Sequence, residues 1–216
     1  MVKSPVRVTL TAMTSTLFSK CTQPTRHSGF SLLELLVVLL IVAALMVLAG
    51  PSFTTSLQNS RLQSAVGALG TDMAFARSEA TTRREPVTLC ASTDGNSCAG
   101  SAWESGWVVF VDDGAGGGTS GNGSRDGSET LLKVAEASSA GVTIRSHNFA
   151  YGNWVMLQGS GRLGFAEGGT FVFCDSRGIE NAMAVNLNGV GHVRLAEDND
   201  GDNVPEDDLG APTKCT

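Results

Sequence analysis

The 216-residue sequence predicts an α+β protein, in which a long N-terminal helix packs on an antiparallel, β-rich globular head. The first observation behind this prediction is a helical pattern of apolar residues that extends from about residue 30 to about residue 85. The second is the change that follows, because residues 86–216 contain only short β-like runs bounded by turn residues. One long helix followed by many short strands is typical of the α+β class.

The first part of the predicted helix, 30–50, is almost entirely apolar. It holds 21 residues, and at 1.5 Å per residue it would be about 31 Å long, which matches the hydrocarbon thickness of a bilayer. We therefore predict a transmembrane segment that forms the N-terminal half of a spine helix. The alternative is a secretory signal peptide that is cut near Ala49.

The segment before the apolar run, 1–29, is a basic leader. It contains no acidic residue and four basic residues, Lys3, Arg7, Lys20 and Arg26. The rest of the chain carries 11 basic and 21 acidic residues, which argues against a broadly basic surface for nucleic acids. We predict that the leader is cleaved off, and Met13 is a second candidate for the start of translation.

Glu34 is the single charged residue in the apolar run. A carboxylate inside a bilayer costs a few kcal/mol and usually faces a partner rather than lipid. If the chain is cut after Gly29, the new α-amine of Phe30 lies one helical turn from Glu34 and can neutralise it, either in the same subunit or in a neighbouring parallel helix. The alternative is that Glu34 lies near the membrane interface, where its side chain extends the carboxylate to the interface and needs no partner.

The stretch GFSLLELLVVL, which starts at Gly29 behind a basic leader, resembles the cleavage and methylation motif shared by type IV pilins and type II secretion pseudopilins. The resemblance implies cleavage between Gly29 and Phe30 by a prepilin peptidase, and N-methylation of Phe30. It also implies that Glu34 helps to dock the subunit into a helical filament. The partners implied are other major and minor pilins or pseudopilins, the inner-membrane assembly platform and membrane lipid.

The second part of the predicted helix, 51–85, is amphipathic. Its apolar residues recur every three or four positions: Leu62, Val66, Leu69, Met73, Ala76 and Ala80. Pro51 removes one backbone hydrogen bond and predicts a kink, and Pro86 predicts the end of the helix. This stripe is expected to pack under the head.

The region 86–216 is predicted to be the β-rich head, with an acidic C-terminal tail. Nine short runs are strand candidates: PVTLC, GWVVFVD, LLKVAE, GVTIRS, WVMLQ, RLGFA, TFVFCD, AMAVNLN and VGHVRLA. Between the second and third runs, the glycine-rich stretch 112–128 predicts a flexible hairpin loop.

Four cysteines follow the apolar segment: Cys90, Cys98, Cys174 and Cys215. Behind an export-type segment we expect oxidising surroundings, and the pairing with the shortest closure is Cys90–Cys98 with Cys174–Cys215. Four cysteines allow three connectivities, and a zinc site is a further alternative, although the C-x₂-C spacing of structural zinc sites is missing.

Several stretches also resemble, in order, the minor pseudopilin family that includes type II secretion protein H and the minor pilins FimT and FimU. They are LQSAVGALGTDMAFARSEATTRREPVTLC, CAGSAWESGWVVFVD, FVFCDSRG and NLNGVGHVRL. The resemblance implies a subunit at or near the filament tip, inserted in the inner membrane with its head in the periplasm, which primes assembly of a secretion pseudopilus or a surface pilus. Enzyme activity is not expected, because no catalytic arrangement of residues is recognisable.

The alternative function is a DNA receptor in natural transformation. Members of the family that take up DNA carry a Gly-Arg-x-Arg turn, and the matching residues here are Gly191, His192, Val193 and Arg194. A mostly neutral histidine replaces the first arginine and removes one permanent phosphate contact. We expect a structural β-hairpin in preference to a DNA site.

The acidic tail raises the question of a cofactor. Asp198, Asp200 and Asp202 alternate as in a calcium loop, and with Asp207 they form a candidate calcium site. Asn203 and Leu209 depart from the EF-hand pattern, while the stretch also looks like a thrombospondin type 3 repeat. We expect a solvated acidic loop without a cofactor, and calcium remains the alternative.

Overall fold

The computed structural model describes residues 29–165 and 168–216, except for the side chains of 47–51. The leader up to residue 28 lies outside these ranges, so its removal stays a prediction. The described chain forms one long α-helix, two short 3₁₀ helices (Trp103–Ser105 and Ile179–Asn181) and eight strands. The strands are β1 Val87–Ala91, β2 Trp107–Val111, β3 Leu131–Ala135, β4 Thr143–His147, β5 Trp154–Leu157, β6 Gly168–Cys174, β7 Met183–Asn188 and β8 Val193–Leu195.

The helix α1 comprises Leu32–Arg83 and continues through Pro51. Its first residues belong to one compact unit, which ends at Val47, and the remainder belongs to a second unit, 48–216. No helix in the part of the chain that the structure describes combines the length and apolarity needed to cross a membrane. After Arg83 the chain turns, because Arg84 takes a left-handed conformation (φ 60°). Strand β1 begins three residues later.

Two four-stranded sheets form the head, and every strand pairing is antiparallel. The strand orders are β3-β2-β1-β5 and β4-β6-β7-β8. One long helix with antiparallel sheets confirms the predicted α+β class. Eight of the nine strand candidates form strands, but RLGFA does not: among its described residues, only Leu163 forms a single bridge, with Leu157. Gly161 directly precedes this run and Gly164 lies within it, and glycine weakens strand pairing.

The main core lies between α1 and the inner faces of the two sheets. The predicted helical stripe supplies Leu62, Leu69, Met73, Ala76 and Ala80, all buried, while Val66 is only partly buried. The sheets add large side chains such as Trp103, Trp107, Phe171 and Phe173. Burying a large apolar side chain stabilises the fold by about 1.5–3 kcal/mol, so this core fixes the second half of α1 on the head.

The outer face of each sheet is covered by a segment that a disulfide holds. Cys90–Cys98 closes the loop after β1, which lies beside an outer cluster that includes Val108, Phe110 and Trp154. Cys174–Cys215 ties the C-terminal tail to β6. Both bonds are those predicted from the cysteine spacing.

The glycine-rich stretch 112–128 is indeed the hairpin connection from β2 to β3, but it is held firmly by hydrogen bonds. The buried carboxylate of Asp112 accepts hydrogen bonds from the amides of three loop residues, Gly121, Asn122 and Gly123. Glu129, also buried, accepts from Gly114 and Asp126. Burial, together with the charges of Asp112 and Asp126, raises the pKa of Glu129.

Candidate assembly and binding sites

The predicted cleavage site lies directly before α1. Gly29 and Phe30 precede the helix and are exposed, and the side chain of Phe30 is 84% accessible. The helix is started by Ser31, whose hydroxyl accepts a hydrogen bond from the amide of Leu33 at 3.3 Å. Both residues of the predicted cleavage site are thus exposed, and the cleavage itself stays a prediction.

Glu34 lies in the first turn of α1 and is exposed. Its carboxylate forms no hydrogen bond or ion pair with any residue of the described ranges. It stands among exposed apolar side chains: Leu32, Leu33, Leu35, Leu36, Val37, Val38, Leu39 and Leu40. A carboxylate in such surroundings is costly in lipid unless another molecule supplies a partner.

The turn predicted as an alternative DNA site connects β7 to β8. Gly191 has a φ of 76°, and the amide of His192 donates to the side-chain oxygen of Asn188 at 2.9 Å. His192 and Arg194 are both exposed. They line a cleft of about 470 Å³, which also contains four carboxylates, those of Glu197, Glu206, Asp207 and Asp208. Four negative charges beside a single arginine oppose the binding of a phosphate backbone.

The structure groups the acidic tail differently from the calcium prediction. Asp198, Asp200 and Glu206 have carboxylate oxygens within 4.8 Å of one another, whereas Asp202 and Asp207 are not in this group. Glu206 was missed because it lies outside the alternating aspartates of the sequence pattern. Its approach to the group is fixed by Asn199, whose backbone amide donates to it at 2.9 Å.

The tail carboxylates already have hydrogen-bond partners within the chain. Asp198 accepts from the amides of Gly201 and Asn203, and the first of these bonds is the main cause that lowers its pKa. Burial raises the pKa of Asp207, but hydrogen bonds, chiefly from the amide of Ala211, outweigh burial and keep it below its usual value. These bonds shape the tail as a closed loop, and calcium binding stays an untested alternative to the solvated loop that we predict.

Comparison with known protein families identifies the chain. Residues 65–191, more than half of the sequence, match the model of the family described as type II transport protein GspH. The chain belongs to the GspH family. Residues 24–50 match the prokaryotic N-terminal methylation motif. The protein is thus a member of the minor pseudopilins and minor pilins of type II secretion systems and type IV pili, whose subunits assemble with other pilins.

The chain is also similar to solved structures, and the first of them shows the same fold. The type IV minor pilin FimU of Pseudomonas aeruginosa is 20% identical over 74% of this chain and 98% of its own, with a TM-score of 0.50. The minor pseudopilin EpsH from the type 2 secretion system of Vibrio cholerae is 10% identical over 62% of this chain and 95% of its own, with a TM-score of 0.43. No curated protein sequence matches the chain.

Proposed function

We propose that this GspH-family protein is a tip-located minor pilin or pseudopilin that primes assembly of a type II secretion pseudopilus or a type IV pilus. The segment 30–50 inserts in the inner membrane, and the head lies in the periplasm. Prepilin peptidase cuts between Gly29 and Phe30, Phe30 is methylated, and the assembly platform passes the mature subunit to the filament.

One observation carries this proposal: the apolar start of α1 is exposed and contains Glu34, which has no partner among the residues that the structure describes. An exposed surface made of so many leucines and valines is expected to be covered by lipid or by neighbouring helices. The free amine of Phe30 in an adjacent subunit would neutralise Glu34 in a low-dielectric surrounding, so the acid selects docking in a defined register.

Glu34→Ala tests the docking role. The variant should still reach the membrane, because an acid is removed from an apolar segment, but its incorporation into sheared filaments should fall on the order of a hundredfold. Glu85→Ala, which removes an exposed acid just beyond the end of α1, is the matched control. Normal incorporation of the Glu34 variant would show that the docking role is wrong.

The cleavage site has its own test. The intact mass of the membrane-extracted protein should correspond to a chain that begins at N-methylated Phe30. A chain that is uncut, or one that begins near Gly50 as a secretory signal peptide would leave it, contradicts the proposal.

The DNA-receptor alternative has less support, because Arg194 shares its cleft with four carboxylates. We expect little binding of duplex DNA to the purified full-length protein at moderate salt. Tight, salt-sensitive binding that Arg194→Ala abolishes, and that His192→Arg strengthens, would favour the receptor instead.

A further inference from the structure

A second cleft lies on the other side of the β7–β8 turn, between this turn and the C-terminal part of α1. Its volume is about 400 Å³. The helix contributes Ala74, Arg77, Ser78 and Thr81. The turn contributes His192 and its two neighbours, Gly191 and Val193. None of the described residues that line it is acidic. We name it the Arg77 cleft.

The side chain of Arg77 is fixed in place. Its Nε donates a hydrogen bond to the carbonyl of Gly161 at 3.1 Å. Gly161 (φ 77°) and Gly191 (φ 76°) lie close beside it, since a Cβ at Gly191 would meet the Gly161 carbonyl at 2.3 Å and Cδ of Arg77 at 3.1 Å. Two glycine turns therefore enclose the side chain, and its position is determined before any partner arrives.

The two terminal nitrogens of the same guanidinium have no hydrogen-bond partner among the described residues. Its Nη1 and Nη2 donate to no residue of the described ranges, and no described carboxylate pairs with it. Three other arginines have carboxylate partners: Arg83 pairs with Glu79 on α1, and in the head Arg145 pairs with Glu104 and Arg177 with Asp175. An arginine whose conformation is already ordered, with two donors left over, loses little further entropy when it binds an acceptor.

We propose that the Arg77 cleft receives the carboxylate of an aspartate or glutamate from a neighbouring subunit of the filament, an inference that rests on the proposed function. The planar fork of a guanidinium matches a carboxylate in a bidentate manner. Ser78 places a hydroxyl at the same opening, and Ala74 and Val193 give it apolar walls. The occupant is thus a single acidic side chain.

A nucleic-acid backbone fits the cleft less well. Binding a row of phosphates requires several exposed cations, and their number sets the salt dependence. The Arg77 cleft offers one fixed arginine and one histidine, on a chain with a formal net charge of −6. One compact anionic group matches this charge better than a polyanion does.

A binding assay tests the cleft without a filament. The full-length protein in a non-ionic detergent is titrated against fluorescein-labelled N-acetyl-hexaglutamate amide, and fluorescence anisotropy is measured at low salt. We expect Arg77→Gln to weaken binding about tenfold or more, and Arg77→Lys to weaken it as well because the fork is lost. Arg84→Gln removes the same charge from an exposed residue outside the cleft and should change binding less than about twofold.

A second variant leaves the Arg77 side chain and its bond to Gly161 intact. Ser78→Asp places a carboxylate at the opening and should reduce hexaglutamate binding about tenfold. Thr71→Asp, at an exposed position on the same helix outside the cleft, is the matched control. Equal effects of Arg77→Gln and Arg84→Gln, or of Ser78→Asp and Thr71→Asp, would overturn the proposal. Stronger Arg77-dependent binding of a hexathymidylate than of hexaglutamate would also overturn it.

Filament incorporation separates this inference from the proposed function. Arg77→Gln and Ser78→Asp should each lower incorporation, whereas Arg84→Gln and Thr71→Asp should not. If both cleft variants enter filaments at the wild-type level, the neighbouring-subunit role of the cleft is wrong while the proposed function stands. If the wild-type chain itself never enters filaments, the proposed function fails, and the hexaglutamate titration still decides whether the cleft binds a carboxylate.

Discussion

The apolar side chains of α1 have opposite surroundings in its two parts. Leu32 and Leu39, in the first part, are 82% and 61% exposed, whereas Leu62 and Leu69, in the second, are each 1% exposed. The second part is covered by the two sheets of the same chain. The first part has no such cover among the described residues, so its apolar surface is left for a partner that the described part of the chain does not supply.

The acids of the two parts differ in the same way. Asp72 is 3% exposed, accepts a hydrogen bond from Nε1 of Trp107 at 2.9 Å and pairs with Lys133. Glu34 has no partner in the described chain. Asp72 joins α1 to its own head. Glu34 is the acid for which we propose a partner in another subunit.

The largest effect is expected from truncating equivalent leucines in the two parts. Leu69→Ala leaves a cavity in the core and should lower the free energy of unfolding by about 2–5 kcal/mol. Leu39→Ala should change it by less than about 0.5 kcal/mol, since the side chain is exposed. Urea unfolding of the full-length protein in detergent, followed by fluorescence of the buried Trp103 and Trp107, measures both. Equal losses would contradict the comparison.

The two acids give a smaller contrast. Asp72→Ala leaves the indole N–H of Trp107 buried without an acceptor and should cost about 2–3 kcal/mol. Asp72→Asn keeps an acceptor and should cost less, which separates hydrogen bonding from charge. Glu34→Ala should leave the unfolding transition unchanged in the same urea titration, although we expect it to lower incorporation into filaments on the order of a hundredfold. A stability loss in the Glu34 variant would mean that its carboxylate has a partner within the chain.

The features that local spacing determines were predictable from the sequence. The stripe from Leu62 to Ala80 follows helical periodicity, and the two disulfides join the cysteines with the shortest loops. RLGFA was mistaken for a strand because its alternation looks like that of its neighbours. In the structure, glycines on either side of Leu163 limit it to a single bridge.

Contacts between distant residues were not predictable. Asp112 and Glu129 look like solvated acids in a glycine-rich loop, yet both are buried because the loop turns its backbone amides toward them. Arg77 meets Gly161, 84 positions away, only after the sheets have formed. Glu206 is near Asp198 and Asp200 in the sequence, but it joins them only because the tail folds back and the amide of Asn199 donates to its carboxylate. In each case the partners are backbone groups or remote side chains, for which no residue spacing gives a signal.

The smallest predicted effect concerns the place where α1 begins to contact the head. There Arg177 donates to Asn59 on the helix at 2.7 Å and pairs with Asp175, just before the first buried leucine, Leu62. The hydrogen bond from Arg177 is the main cause that lowers the pKa of Asp175 in the folded protein. The ionised Asp175 carboxylate therefore stabilises the folded protein above the unfolded pKa of about 3.9. This stabilisation is lost as the pH falls through the lower pKa that Asp175 has in the folded protein.

Asp175→Asn should accordingly cost about 1–2 kcal/mol at pH 7, and this difference from the wild type should shrink steadily below pH 4. Asp113→Asn, in the exposed part of the β2–β3 loop, is the control for a general effect of removing one negative charge. Urea titrations at several pH values between 7 and 2.5 measure both variants. A difference for Asp175→Asn that stays constant over this range would show that the ionised pair does not stabilise the start of the packed part of α1. The contrast between the two parts of the helix would then rest on apolar burial and on the contacts of Asp72 with Trp107 and Lys133.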